Sequence, residues 1–131
     1  MTDTVLWCDG ALTDPATASV HWADHGLTVG DGVFETLEFR RGRPFALSRH
    51  LARLERGCSG LRLVPKDRDD VARAVDAVSR AWGGDAGRLR ITVTTGSGPM
   101  GSDRGDAPPT LIVSASPMSI QTEATGVVTV P

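Results

Sequence analysis

The chain has 131 residues, of which 40% are hydrophobic and 23% charged, a composition typical of one globular domain. The formal charge of -2, with both signs scattered along the chain, provides no basic patch for binding nucleic acid. The sequence lacks both a membrane-length apolar run and a signal peptide, so we expect a cytoplasmic protein, and the widely separated Cys8 and Cys58 indicate neither a disulfide framework nor a zinc site.

The first predicted element is a β-hairpin, and a loop follows it. Residues 4–7 are β-prone and lead into an Asp-Gly pair at residues 9–10, a strong signal for a tight hairpin turn. Residues 21–32 are rich in Gly and Asp, which predicts a loop rather than a helix. Without a helix to align them, His21 and His25 lack the arrangement of metal ligands, so we expect no metal site here.

A second hairpin is predicted over residues 33–47, with its turn at residues 41–44. In its first strand Glu35 shares a face with Leu37 and Phe39, because side chains alternate across a strand. A carboxylate on an otherwise apolar face needs a partner. Glu35 is therefore a candidate site residue.

Two amphipathic helices are predicted after the hairpins. Ser48 is a good N-cap for the first helix, whose apolar residues recur at helical spacing over residues 51–61. The second helix begins near Asp67 and ends at the Gly-Gly pair of residues 83–84.

The remaining sequence predicts strands. They cover residues 89–95 and 111–116, joined by a Gly-rich loop, and a last β-prone run starts at residues 126–130. This order of elements predicts an α+β domain in which two helices pack on an antiparallel-rich sheet. We expect residues 1–120 to form this domain and residues 121–131 to lead into a missing C-terminal domain.

The run HGLTVGDGVFETLEFRRGRPFALSRHLARL, residues 25–54, resembles the fold-type IV, or class IV, pyridoxal-phosphate enzymes. The most specific parts of the match are GDGVFE and HLARL, and the later GRLRIT and TTGSGPMG segments extend it over nearly the whole chain. The resemblance implies the N-terminal domain of the D-amino-acid aminotransferase-like fold. It further implies pyridoxal 5'-phosphate as cofactor, a small-molecule substrate and a homodimer.

The resemblance also implies roles for individual residues. Arg53 of HLARL matches the family's arginine for the cofactor phosphate, and a guanidinium suits that role because its rigid fork of donors fits phosphate oxygens. Without the resemblance, Arg53 and Arg90 would be interpreted as surface residues. The substrate pocket implied by the match consists of Val29, Phe34, Glu35, Thr36 and Arg90. Val29 departs from the family, which places Tyr or Phe at that position.

Pyridoxal phosphate chemistry requires a lysine that forms a Schiff base with the cofactor. Lys66 is the only lysine of the chain, and it lies among aspartates in a solvated setting unsuited to this role. The resemblance places the family's lysine beyond Pro131. We therefore expect no catalytic residue within these 131 residues, and we expect the chain alone to be inactive.

Three functions follow as hypotheses. The first is an aminodeoxychorismate lyase of folate synthesis, which makes 4-aminobenzoate and pyruvate; Thr36 favours it, because branched-chain aminotransferases place Gly at the matching position. The second is a class IV aminotransferase of D- or branched-chain amino acids, which Glu35 and Arg90 resemble at least as much. The third is a non-catalytic domain that binds a partner or a small anion.

Overall fold

A single antiparallel sheet organises the computed structural model, which describes residues 3–64, 67–119 and 122–130. Its strands lie side by side in the order β2-β1-β6-β5-β3-β4. In chain order they are β1 (Val5–Cys8), β2 (Ala11–Thr13), β3 (Gly32–Arg40), β4 (Arg43–Pro44), β5 (Ala86–Thr94) and β6 (Leu111–Ser116).

Two long helices cover one face of this sheet. The helices are α1 (His25–Thr28), α2 (Leu47–Gly60) and α3 (Arg68–Trp82), and α1 is a single turn. Apolar side chains of α2 and α3 form one core with alternate residues of the central strands. On the opposite face, Thr94 at the end of β5 is buried against the start of α1, and in the described part of the chain neither long helix covers the rest of that face. The antiparallel sheet with its two packed helices confirms the predicted α+β class.

Both predicted hairpins form. Asp9 and Gly10 have φ values of 39° and 104°, the positive values that a two-residue hairpin turn requires. In the second hairpin the return strand is β4, shorter than the predicted one and earlier in the chain. The extended run stops because Ala46 adopts a left-handed conformation, with φ 52°, and α2 begins at the next residue.

The helix boundaries were partly predicted. As expected, α3 begins beside Asp67 and ends at Gly83, which is in the left-handed region. The Asp67 side chain caps the helix by accepting a hydrogen bond from the backbone N of Asp69. The prediction that Ser48 caps α2 was wrong, since the N-cap is Ala46 and makes no side-chain hydrogen bond. The left-handed turn at Ala46 starts the helix before the chain reaches Ser48.

Two further predictions fail for identifiable reasons. The segment around His25 is not wholly a loop, because the Asp24 carboxylate accepts a 2.8 Å hydrogen bond from the backbone N of Gly26 and so starts α1. The run at residues 126–130 forms no strand. Its valines are 84–91% exposed, and within the described ranges no strand pairs with it, so β-propensity alone does not order it.

The pairing pattern leaves one stretch of β3 open at its edge. β4 pairs only with Phe39 and Arg40, whereas β5 pairs with all of β3. Among the residues that the structure describes, 32–37 therefore pair with a strand on one side only, and α2 lies over one face of them. Among the described residues, no helix is long and apolar enough to span a bilayer.

We predict that Leu89→Ala lowers the free energy of unfolding by about 2–5 kcal/mol, because Leu89 is fully buried between Leu37 and Ala115 and its loss leaves a cavity. Urea denaturation, followed by tryptophan fluorescence, to which the core-packed Trp7 and Trp82 contribute, measures this change. Arg88→Ala on the exposed side of the same strand is the control, expected within about 0.5 kcal/mol of wild type. Equal effects of the two substitutions would contradict the assigned core.

Candidate functional site

A buried carboxylate lies at the open stretch of β3. The Glu35 side chain is 5% exposed and points toward α2. It accepts two hydrogen bonds from Arg53, one from Nε at 2.6 Å and one from Nη2 at 2.7 Å. Nδ1 of His50 lies 2.7 Å from the same carboxylate. Glu35 thus finds the partner that its apolar surroundings require.

The position of Arg53 and His50 follows from the helix. They are three residues apart on α2, so both side chains face Glu35 across the gap to β3. Burial raises the pKa of Glu35, but the hydrogen bonds from Arg53 and His50 outweigh it, and the net effect is a pKa below the usual value. Glu35 is therefore ionised at neutral pH.

Arg53 faces solvent on its other side. Its side chain is 62% exposed although its fork is bound to Glu35. An open groove of about 300 Å³ lies along α2, lined by Ala46, Arg49, His50, Arg53 and Arg56. Arg49 and Arg56 are exposed, and neither forms an ion pair with any residue in the described ranges. The groove is therefore cationic.

A second group of candidate residues lies on the uncovered face of the sheet. The guanidinium carbon of Arg90 lies 3.7 Å from the centre of the Phe34 ring, a cation–π contact. Thr36 is the cross-strand partner of Arg90, and Nε of Arg90 donates to Oγ1 of Thr92 at 3.3 Å. Phe34 is 56% exposed. These residues together form a patch with a cation, an aromatic ring and hydroxyls.

The predicted site residues thus fall into two groups on opposite faces of the sheet. Arg53 and Glu35 lie on the helix side, whereas Phe34, Thr36 and Arg90 lie on the uncovered side. Both groups border the open edge of β3 at residues 32–37. Val29 is outside both groups, at the end of α1, where it is 46% exposed.

The Gly-Asp-Gly turn fixes where β3 begins. Gly30 has a φ of 71°, a backbone conformation that is strained for residues with a Cβ. A Cβ added to Gly32 would lie 2.9 Å from the carbonyl oxygen of Val93, so a larger residue would clash there. Between them, the backbone N of Asp31 donates to His25, and the Asp31 carbonyl accepts from Thr95.

Arg104, from the Gly-rich loop before β6, binds this turn. Its Nε and Nη2 donate to the two carboxylate oxygens of Asp31 at 2.6 and 2.8 Å. The same guanidinium donates to the carbonyl oxygens of Leu61 and Arg62 at the end of α2. Arg104 therefore joins the two elements that carry the candidate residues, β3 and α2.

Sequence reasoning did not single out His50 or Arg104. His50 was identifiable in principle, since it lies one turn before Arg53 within HLARL and so shares its helix face. Arg104 carries no such signal, because its partner Asp31 lies 73 residues away in the sequence.

We predict that Arg104→Ala lowers the melting temperature at neutral pH and that this difference shrinks in acid. The hydrogen bonds from Arg104 are the main cause of the lowered pKa of Asp31. The stabilisation is therefore present above the ordinary value of 3.8 and is lost as pH falls through the lower pKa of the folded state. Thermal unfolding from pH 7 into the acid range measures it, with Asp31→Asn as the matched variant. A difference that does not depend on pH would contradict the ion pair.

Proteins of one family resemble this chain in sequence and fold. The profile described as Amino-transferase class IV matches residues 32–130. The bifunctional aminodeoxychorismate lyase / D-amino acid transaminase of Mycobacterium tuberculosis is 32% identical over 117 residues, which are 87% of this chain and 38% of that protein.

Two solved structures show the same relation. The 4-amino-4-deoxychorismate lyase of Pseudomonas aeruginosa has 40% identity and a TM-score of 0.73, over 86% of this chain and 39% of that one. A hypothetical aminotransferase from Mycobacterium tuberculosis, solved in a PLP-bound form, has 32% identity and a TM-score of 0.74, over 87% of this chain and 40% of that one. The chain spans about two fifths of the length of these relatives. Since the family profile covers well over half of the sequence, the chain belongs to the class IV aminotransferase family.

Proposed function

We propose that the protein containing this chain is a pyridoxal-phosphate-dependent lyase that converts 4-amino-4-deoxychorismate to 4-aminobenzoate and pyruvate. The observation that carries the cofactor assignment is the fork of Arg53, held by a buried carboxylate on one side and open to a cationic groove on the other. Membership in the class IV family and the PLP-bound relative support the same cofactor.

The residues present fit the phosphate end of the cofactor. The bonds to Glu35 use two of the five N–H donors of Arg53, and three remain for phosphate oxygens in the described part of the chain. When bound, pyridoxal 5'-phosphate supplies a ring that acts as an electron sink. Such chemistry also requires a lysine. Lys66 lies outside the described residues, so the fit of the phosphate site is judged from Arg53 and its neighbours.

The two faces of the sheet suggest a division of roles. Arg53 binds and orients the phosphate on the helix side of β3. On the uncovered side Arg90 binds a substrate carboxylate, and its cation–π contact with Phe34 fixes the height of the guanidinium above the sheet. Thr36 places a hydroxyl beside Arg90, where it holds a substrate group or relays a proton. A ligand that extends around the open edge of β3 contacts both groups.

The relatives favour the lyase without excluding transfer chemistry. The identity to the Pseudomonas aeruginosa lyase structure, 40%, is higher than that to the hypothetical aminotransferase, 32%. The second candidate function is amino transfer on D- or branched-chain amino acids. It draws support from the Mycobacterium tuberculosis relative, whose name combines the lyase with a D-amino acid transaminase.

A second domain is part of this proposal. Residues 1–120 form the N-terminal domain, and residues 121–131 lead to a C-terminal domain that supplies the lysine and the rest of the phosphate site; the active form is a homodimer. The greater length of the relatives supports this arrangement. On this view the 131 residues alone bind substrate groups but do not catalyse the reaction.

We predict that Arg53→Gln weakens the binding of pyridoxal 5'-phosphate by the intact protein about 10- to 100-fold, because charge-assisted hydrogen bonds to the phosphate are lost. Gln is chosen over Ala because its amide still donates to Glu35, whereas Ala would leave that buried carboxylate with His50 alone. Equilibrium dialysis measures the affinity. Arg80→Ala on α3 is the control, and unchanged binding by Arg53→Gln would remove Arg53 from the site.

We predict that Thr36→Gly lowers the release of 4-aminobenzoate by at least about 100-fold while cofactor binding is kept, because the hydroxyl that relays the proton is lost. Thr36→Ser, which keeps the hydroxyl, is the matched control. The assay follows 4-aminobenzoate release beside amino transfer to pyruvate and branched-chain keto acids. Transfer without any aminobenzoate release from the wild-type protein would contradict the lyase assignment.

A further inference from the structure

We propose that Glu35 and His50 are positioning residues for Arg53: they hold its guanidinium so that its free donors face the phosphate. This inference rests on the proposed function and changes one role implied by the sequence, where Glu35 was expected to contact the substrate. The geometry carries it, since Glu35 points away from the face that holds Phe34 and Arg90 and uses its carboxylate on Arg53 and His50.

The buried carboxylate of Glu35 restricts the rotamers of the exposed Arg53 side chain. Glu35 is 5% exposed, whereas Arg53 is 62% exposed and has a long side chain with many rotamers in solvent. The bidentate contact removes this freedom, because both carboxylate oxygens meet the planar fork of the guanidinium. His50 in turn bonds Oε2, the oxygen that also accepts from Nη2 of Arg53, and so prevents the carboxylate from rotating.

A carboxylate beside a phosphate site also repels the phosphate, and the groove compensates for this. Arg49, Arg53 and Arg56 recur at helical spacing along α2 and line the same groove. Three arginines against one carboxylate leave two uncompensated positive charges. A phosphate monoester carries nearly two negative charges at neutral pH, so the net charge still favours it. The groove can therefore use a carboxylate for positioning and remain attractive to the anion.

The experiment compares pyridoxamine 5'-phosphate with pyridoxamine, two ligands that differ only in the phosphate and that form no covalent bond with a lysine. The ratio of their dissociation constants on the intact protein is the phosphate preference, which is measured by isothermal titration without any reaction. We expect Glu35→Gln to lower this preference about tenfold, because an amide cannot accept both bonds of the fork. If Glu35 acted only through its charge, removing it would raise the preference. The sign of the change thus decides between positioning and repulsion.

His50 provides an independent variant pair. His50→Ala removes the bond to Glu35 and is expected to lower the preference, whereas His50→Asn places an amide donor near the position of Nδ1 and is expected to keep it within about twofold. Equal preferences in the two variants would overturn the role of His50. This pair also tests the proposal if Glu35→Gln does not fold, which the melting temperature of each variant reports.

The double variant Glu35→Gln/Arg53→Gln shows whether Glu35 acts through Arg53. We expect its phosphate preference to equal that of Arg53→Gln alone, since a positioning residue has no effect once its target is gone. Additive losses would overturn the proposal. A wild-type preference in Arg53→Gln would instead contradict the proposed phosphate site itself. Loss in Arg53→Gln with an unchanged or raised preference in Glu35→Gln would reject only the positioning role.

Discussion

The contact between Glu35 and Arg53 joins the sheet to its first long helix by a charged interaction at the boundary between core and solvent. The alternation of β3 turns Glu35 inward on the same face as the buried Leu37 and Phe39, and an unpaired carboxylate there would oppose folding. Arg53 and His50 of α2 lie within hydrogen-bond distance of this carboxylate. This contact adds to the apolar packing of Leu51, Leu54 and Cys58 that holds α2 on the sheet, and it fixes which way the guanidinium points.

The alternation of side chains along β3 also explains why candidate groups lie on both faces of the sheet. Neighbouring residues of a strand point in opposite directions, so Glu35 serves the helix side while Phe34 and Thr36 serve the open side. A sheet interior would keep these surfaces apart. Within the described part of the chain, residues 32–37 are bordered by a strand on one side only, and the surfaces meet around this free edge. The shortness of β4 is thus a functional feature of the proposed site.

The sequence predicted the elements better than their connections. The β3 alternation, the start of α3 beside Asp67 and the extent of β6 follow from local patterns, and the structure has them as expected. The start of α2 did not follow, because it depends on the left-handed turn at Ala46, a conformation that local propensity disfavours for alanine. The run at residues 126–130 shows the opposite case, in which a local preference finds no neighbouring strand.

The GDGVFE and HLARL motifs resemble the class IV family strongly enough to predict a role for Arg53. The residues that surround Arg53 depend on how the elements pack. Neither the bond between His50 and Glu35 nor the split of Phe34 and Arg90 from that pair could be read from residue spacing, since both depend on how α2 and β5 pack on β3. The sequence therefore predicted candidate members of the site and left their partners undetermined.

The order of strands has a consequence for the growing polypeptide on the ribosome. β3 pairs with β5, β1 pairs with β6, and Arg104 reaches back 73 residues to Asp31. During synthesis, β1 and β3 emerge well before β6 and β5, so these strands lack their pairing partners until residues after 85 have been translated. Such long-range closure slows folding and exposes unpaired strand edges in the meantime. The nascent chain is therefore most exposed to aggregation, and most in need of chaperones, before β5 and β6 leave the exit tunnel.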